Sequence, residues 1–98
     1  MKLGVFVSDY KIPVDTLERL EADNLGIVLV LNGVYHAVIK EGGKDSALFG
    51  KTSRIYALSE DLQTRGLLPE QVDKRVKVVD YNGLVDVIFK DFEKIAWL

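Results

Sequence analysis

The chain has no cysteine at any of its 98 positions. That absence excludes disulfides, cysteine-ligated zinc, iron–sulfur clusters, and any thiol or persulfide chemistry on the chain's own side chains. An excess of one charge is also missing, because 13 basic and 15 acidic residues leave a formal net charge of -2 with both signs interspersed. The densest basic stretch, Lys74, Arg75 and Lys77, is flanked by Asp73 and Asp80. Nothing here forms the stripe that tracks a phosphate backbone, and direct nucleic-acid binding is not expected.

Long hydrophobic runs are absent as well. The longest, Ile27 to Leu31, falls far short of the ~20 residues that span a bilayer. The opening residues Met1 to Val7 give way at once to Ser8-Asp9-Tyr10, so no signal peptide is visible and a cytoplasmic location is expected. Neither G-x-G-x-x-G nor G-x-x-x-x-G-K-[ST] occurs, and Gly42-Gly43-Lys44 follows a helix where a phosphate loop must follow a strand. No cofactor is expected.

What is present is a globular composition, 48% hydrophobic and 29% charged, in a length that suits one domain over 1–98. Leu3 to Val7 reads as a buried strand, followed by a helix over about 13–22 with Val14, Leu17 and Leu20 on one face and Asp15 paired with Arg19. Gly26 to Leu31 is apolar on both faces, as a central strand covered by two helical layers should be. Asn32 offers an N-cap to a short helix ending near Lys40, and Glu41 to Ser46 reads as an exposed loop. Residues Ala47 to Lys51 continue that loop or form one irregular turn.

A third strand spans Ser53 to Leu58. Ser59 then caps a helix with Glu60 and Asp61 in its first turn and Gly66 at its carboxyl terminus, and Pro69 to Val72 can add a further turn. Val76 to Asp80 is the fourth strand, and the following helix is expected to turn Leu84, Val85, Ile88 and Phe89 to the core with Asp86 and Lys90 outward. Lys94 to Leu98 is a candidate edge strand. Four alternations of strand and helix predict an α/β fold with a mostly parallel sheet between two helical layers.

In such a sheet the strand carboxyl ends border the usual crevice. Ser8, Asp9, Tyr10, Asn32, Gly33, Ser59, Glu60, Tyr81 and Asn82 arrive there as a polar rim, although Asn32, Ser59 and Asn82 are equally explicable as helix caps. Asp61 and Arg65, four apart, offer a surface ion pair, and with Glu60 they make an interface candidate. His36 is the only histidine; Lys40 and Gly33, its helical neighbours, supply no carboxylate to orient it, so a surface or interface position is expected. Tyr35, Tyr56, Tyr81, Phe92 and Trp97 are more aromatics than so small a core needs, and rings of this kind favour interfaces. Trp97 suits partner contact and docking onto its own domain equally.

Four stretches together resemble the TusB/DsrH family of sulfur-relay proteins: Val28 to Val34 with Ala37-Val38, Ile55 to Leu62 with Arg65-Gly66, Val78 to Tyr81 with Leu84-Val85, and Ala96-Trp97. The Tyr-Ala-Leu-x-Glu-Asp…Arg-Gly segment is the most specific of them. The resemblance implies a DsrE/DsrF/DsrH-like three-layer α/β/α domain with a five-stranded sheet in the order 4-3-2-1-5. It also implies a cytoplasmic partner or scaffold subunit, non-catalytic, in a complex with cysteine-bearing TusC/TusD-like or DsrE/DsrF-like chains, which passes persulfide sulfur toward 2-thiolation of tRNA wobble uridine. DsrH-like members of sulfur-oxidising bacteria carry a cysteine of their own, and this chain departs from them in having none. Asp9, Asn32, Gly33, Tyr35, His36, Glu60, Asp61, Arg65, Tyr81 and Trp97 are the interface or crevice candidates, and no residue is a catalytic or metal-ligating candidate. The alternative is a stand-alone homo-oligomer that binds a small molecule in the strand-end crevice.

Overall fold

A computed structural model describes residues 2–12, 24–38 and 46–97. The helix expected over 13–22, the end of the second helix near Lys40, and the loop over 41–45 lie outside the described residues. Five strands, β1 (Lys2–Val7), β2 (Asn24–Leu29), β3 (Ile55–Leu58), β4 (Val76–Val79) and β5 (Lys94–Trp97), form one sheet in the order β4-β3-β2-β1-β5. Every neighbouring pair is parallel. The expected fold class and strand order are therefore observed, and the terminal segment is the edge strand β5.

Period-two alternation divides the strands between two cores. Val5, Val7, Leu25, Ile27, Leu29, Ile55, Ala57 and Val76 face one side, where Val34, Ala37, Leu48 and Leu62 cover them. Phe6, Val28, Val30, Leu58 and Val79 face the other, under Leu84, Ile88 and Phe92. Ile27 and Val28 are both fully buried, so β2 is the doubly covered central strand its composition predicted.

Helix α1 (Ser59–Thr64) follows β3 and α2 (Tyr81–Asp91) follows β4. Gly66 ends α1 in the left-handed region at φ 66°. Its N–H reaches the Gln63 carbonyl at 3.0 Å, while the Leu67 N–H reaches Leu62 at 3.0 Å. This is the paired closure of a Schellman terminus, which suits glycine because no Cβ opposes it.

Three expectations are overturned. The segment after β2 is a 3-10 helix, Leu31–Ala37, starting from Val30 with no side-chain cap. Asn32, Gly33, Val34, Tyr35 and His36 are all weak α-formers, and i,i+3 bonds suit the short span they cover. The side chain that caps α2 is Asp80, accepting from the Gly83 N–H at 2.8 Å, and not Asn82; α1 starts from Leu58 without a side-chain cap, so Ser59 does not serve as one. On α2, only Leu84 is buried and Ile88 partly so; Val85 is 47% and Phe89 83% exposed. Four apolar residues at two adjacent helical angles span more arc than one narrow contact with the sheet covers.

Phe92, just beyond α2, lies over the registered pair Gly4 and Gly26 of β1 and β2. A Cβ at either glycine would overlap its ring. Gly26→Ala is expected to destabilise the fold by about 1–3 kcal/mol, the usual cost of overpacking. Adding Phe92→Leu should recover part of that loss, since contacting sites are not additive; chemical denaturation of the single and double variants measures both.

Candidate functional site

The carboxyl ends of β1, β2 and β3 converge with the loops that leave them. At the end of β2 the chain turns through Leu31 at φ 49°, the only non-glycine residue with positive φ among the described residues. Such a backbone costs on the order of 1–3 kcal/mol and persists where surrounding contacts over-determine it. Here Asp61 supplies the contact, its Oδ2 accepting the Leu31 N–H at 2.8 Å. Arg65 holds the next residue, donating from Nε to Asn32 Oδ1 at 3.0 Å and from Nη1 to the Asp61 carbonyl at 3.1 Å. Asn32 is therefore a partner of Arg65 and not a helix cap.

The Asp61–Arg65 ion pair is present at 3.6 Å. Its side chains are only 16% and 17% exposed, so it is less a surface pair than the spacing suggested. Gly33 follows at a contact no other residue fits, because a Cβ there would collide with the Val7 carbonyl oxygen. That same oxygen accepts the Val30 N–H at 3.0 Å and joins the β2 exit to the end of β1.

Glu60 and Asp61 take different partners, since adjacent helical residues do not face each other. Its Oε2 accepts the Tyr81 N–H at 3.2 Å and its Oε1 accepts the Ser59 hydroxyl at 2.9 Å, tying the start of α1 to the start of α2. Partial burial acts to raise the Glu60 carboxyl, but hydrogen bonds from its own N–H, the Ser59 hydroxyl and the Tyr81 N–H outweigh it, and the group stays below the usual glutamate range. A depressed carboxylate contributes stability above its unfolded titration range and loses it as pH falls through the folded one. Unfolding curves of the chain and of Glu60→Gln are therefore expected to differ most near neutrality and converge in acid.

His36 is not at the surface. It is 7% exposed, with Nε2 donating to the Asp9 carbonyl at 3.2 Å and Nδ1 joined to Ser46 Oγ at 2.7 Å. Tyr10 packs on its ring at a centroid distance of 4.9 Å. A carbonyl only accepts, so Nε2 is the donor in the bond to Asp9. The imidazole pins the β1 exit to the segment beginning at Ser46.

Above it lies an open crevice of about 450 Å³ lined by Asp9, Tyr10, Lys11, Asn32 and Tyr35. Four residues singled out in the sequence thus meet, the rim members Asp9, Tyr10 and Asn32 and the aromatic Tyr35. Gly33 and His36 lie beneath as supports. Glu60 and Tyr81 belong to the neighbouring α1–α2 junction, and Trp97 is on β5, stacked on Phe6 at 5.2 Å yet 61% exposed. Lys11 escaped the sequence reading; its place two residues beyond Asp9 was the available signal. A second hollow of about 340 Å³ lies beside Leu62, Leu67, Leu68, Pro69 and Val78 and is largely apolar.

Elsewhere, burial and then the nearby Asp91 carboxylate raise the Tyr56 phenol above its ordinary value, so it remains a neutral donor to Asp91. Among the described residues, no cluster of histidine, aspartate or glutamate could hold a metal ion, and no helix is long and apolar enough to cross a membrane.

Comparison with known proteins adds three findings. The family model described as DsrH like protein matches residues 8–93. Protein TusB of Photorhabdus laumondii is 33% identical over 90 residues, covering 92% of this chain and 93% of the relative. Protein TusB of Pectobacterium parmentieri is 30% identical over the same length and shares of each chain. The solution NMR structure of Protein Tm0979 from Thermotoga maritima superposes with a TM-score of 0.58 over 88% of this chain and 91% of that one, at 24% identity, and shows the shared fold.

Proposed function

This chain belongs to the family of DsrH-like proteins, and from that premise we propose that it is a non-catalytic partner subunit of a sulfur-relay complex linked to 2-thiolation of tRNA wobble uridine. It acts in the cytoplasm as one domain over 1–98, beside cysteine-bearing TusC/TusD-like or DsrE/DsrF-like chains. The observation that carries the reading is a sulfur-relay family member without a thiol. In persulfide relay, an acceptor thiolate attacks the terminal sulfur of a donor persulfide, a new sulfur–sulfur bond forms, and the donor leaves as thiolate. Hydroxyl and carboxylate oxygens cannot replace either partner in that exchange.

The role left to this chain is placement. Asp9, Tyr10, Lys11, Asn32 and Tyr35 form a rim on which a loop of a partner can seat, and the bonds from Asp61, Arg65 and His36 hold it rigid. A preformed rim avoids part of the ordering cost of association. Labelled persulfide sulfur supplied to the isolated chain should leave it unlabelled, while a reconstituted mixture should place the label on a companion's cysteine. A side-chain persulfide formed on the isolated chain would overturn the assignment.

A second reading, a stand-alone homo-oligomeric binding protein, draws on the same open crevice, whose Asp9, Lys11 and aromatic walls also suit a small zwitterion. A ligand that raises the melting temperature and loses that effect in Tyr35→Ala would favour it.

A further inference from the structure

Position 31 holds a leucine where the backbone favours glycine. The Gly33 N–H reaches the Val30 carbonyl at 2.8 Å and closes a turn. Of its two central residues, Leu31 and Asn32, only Leu31 has a positive φ, 49°. A turn with positive φ at its first central position alone ordinarily carries glycine there, because a Cβ crowds the following carbonyl oxygen. Asp61 secures the turn through the Leu31 N–H, a group that every residue except proline supplies. The backbone thus uses nothing that leucine has and glycine lacks. The side chain gives the interior little in return: it is 48% exposed and belongs to neither hydrophobic cluster. Its place is the edge of the crevice. Asn32, the next residue, lines that crevice, and Arg65, paired with Asp61, holds Asn32.

A bulky side chain kept on a strained backbone and half in water costs the isolated chain twice. Such outliers collect at binding sites, where surrounding contacts fix a group in place ahead of its ligand. We propose that Leu31 is the apolar anchor of the crevice rim, the side chain against which the companion's loop buries an apolar residue of its own. The proposal deepens the reading of this crevice as the seat of a cysteine-bearing partner and rests on it. Asp9, Lys11 and Asn32 can orient a loop, yet each exchanges bonds to water for bonds to a partner at small net gain. Leu31 adds apolar area that leaves water only when the loop is seated. Because Asp61 already holds the turn, little backbone freedom is lost on binding. The anchor also selects. A loop that sets a charged residue opposite Leu31 buries that charge without a partner and is rejected.

Leu31→Gly separates the demands of folding from those of binding. It relaxes the turn and removes the side chain, so its melting temperature should match or exceed the parent's. It should also exceed that of Leu31→Ala, which keeps the strained Cβ, by roughly 4–8 °C. Both variants should bind the cysteine-bearing chain that co-purifies with the parent protein about 10-fold more weakly or worse. Leu31→Met, which keeps the apolar bulk, should bind it within about threefold of the parent. Calorimetry with that purified companion reads the affinities. An undiminished affinity in Leu31→Gly would overturn the anchor. So would a Leu31→Gly chain that melts well below the parent, since the leucine would then serve the chain's own fold. Tyr35→Asp separates this inference from the reading beneath it: if that variant loses the companion while Leu31→Gly keeps it, the anchor alone fails. If both keep the companion, or none co-purifies, the crevice reading fails with it.

Discussion

Replacing Gly33 by alanine is expected to destabilise the protein by about 3 kcal/mol or more, lowering the melting temperature by roughly 12–24 °C for a domain of this size. The added carbon would overlap a backbone carbonyl oxygen, that of Val7, and a strand end cannot rotate aside as a side chain can. Relief requires moving the 3-10 helix off the sheet. That movement would break the Val30 N–H bond to the same oxygen and draw Val34, which is fully buried, out of the core. Gly50→Ala is the matched control: nothing lies within 4 Å of its Cβ position, and a change within about 0.5 kcal/mol is expected. Thermal unfolding of the two variants decides the point. Equal melting temperatures would mean that the β2 exit does not sit as described.

The second large effect concerns the rim. Tyr35→Asp places a carboxylate on the crevice wall opposite Asp9 and removes the ring from the surface assigned to a partner. Tyrosine is a frequent centre of binding energy because its ring is large, stiff and carries one polar end. Loss of such a residue together with a new like charge should weaken partner binding by about 30-fold or more. Because Tyr35 is only partly buried, the melting temperature should change little, which separates lost binding from lost folding. Binding of the purified cysteine-bearing companion, followed by calorimetry, measures the effect. An affinity unchanged from the parent chain would move the interface away from this crevice.

Strand identity and the Gly66 terminus were legible in the amino-acid sequence because each depends on short-range pattern, whereas the strand order was implied only by the family resemblance. Apolar runs of four to six residues between turn signals admit few alternatives, and Arg65-Gly66 closes a helix by local bonds alone. The site was legible in its members and not in their roles. Asn32 looks like a cap from its position before an apolar run, yet Arg65, 33 residues away, takes its side chain. His36 lacks a carboxylate at helical spacing, but its partners come from Asp9 and Ser46 on separate segments. Gly33 carries no local signal at all, since its requirement comes from the carbonyl of Val7 on another strand.

The faces of α2 failed for a related reason. Leu84, Val85, Ile88 and Phe89 are consistent with one broad inward face when periodicity alone is considered. A helix that crosses the sheet contacts it along a narrower line, which Leu84, Ile88 and the following Phe92 fill. The remainder, Val85 and Phe89, joins Tyr81 on the outside.

Native mass spectrometry of the tagged chain, recovered from its own cells without crosslinking, tests most directly whether this protein positions a sulfur carrier. The expected species is a mixed assembly in which this chain is joined to an α/β chain that carries cysteine. Recovery of this chain by itself under the same conditions, as monomer or as homodimer with no thiol-bearing companion, would contradict it.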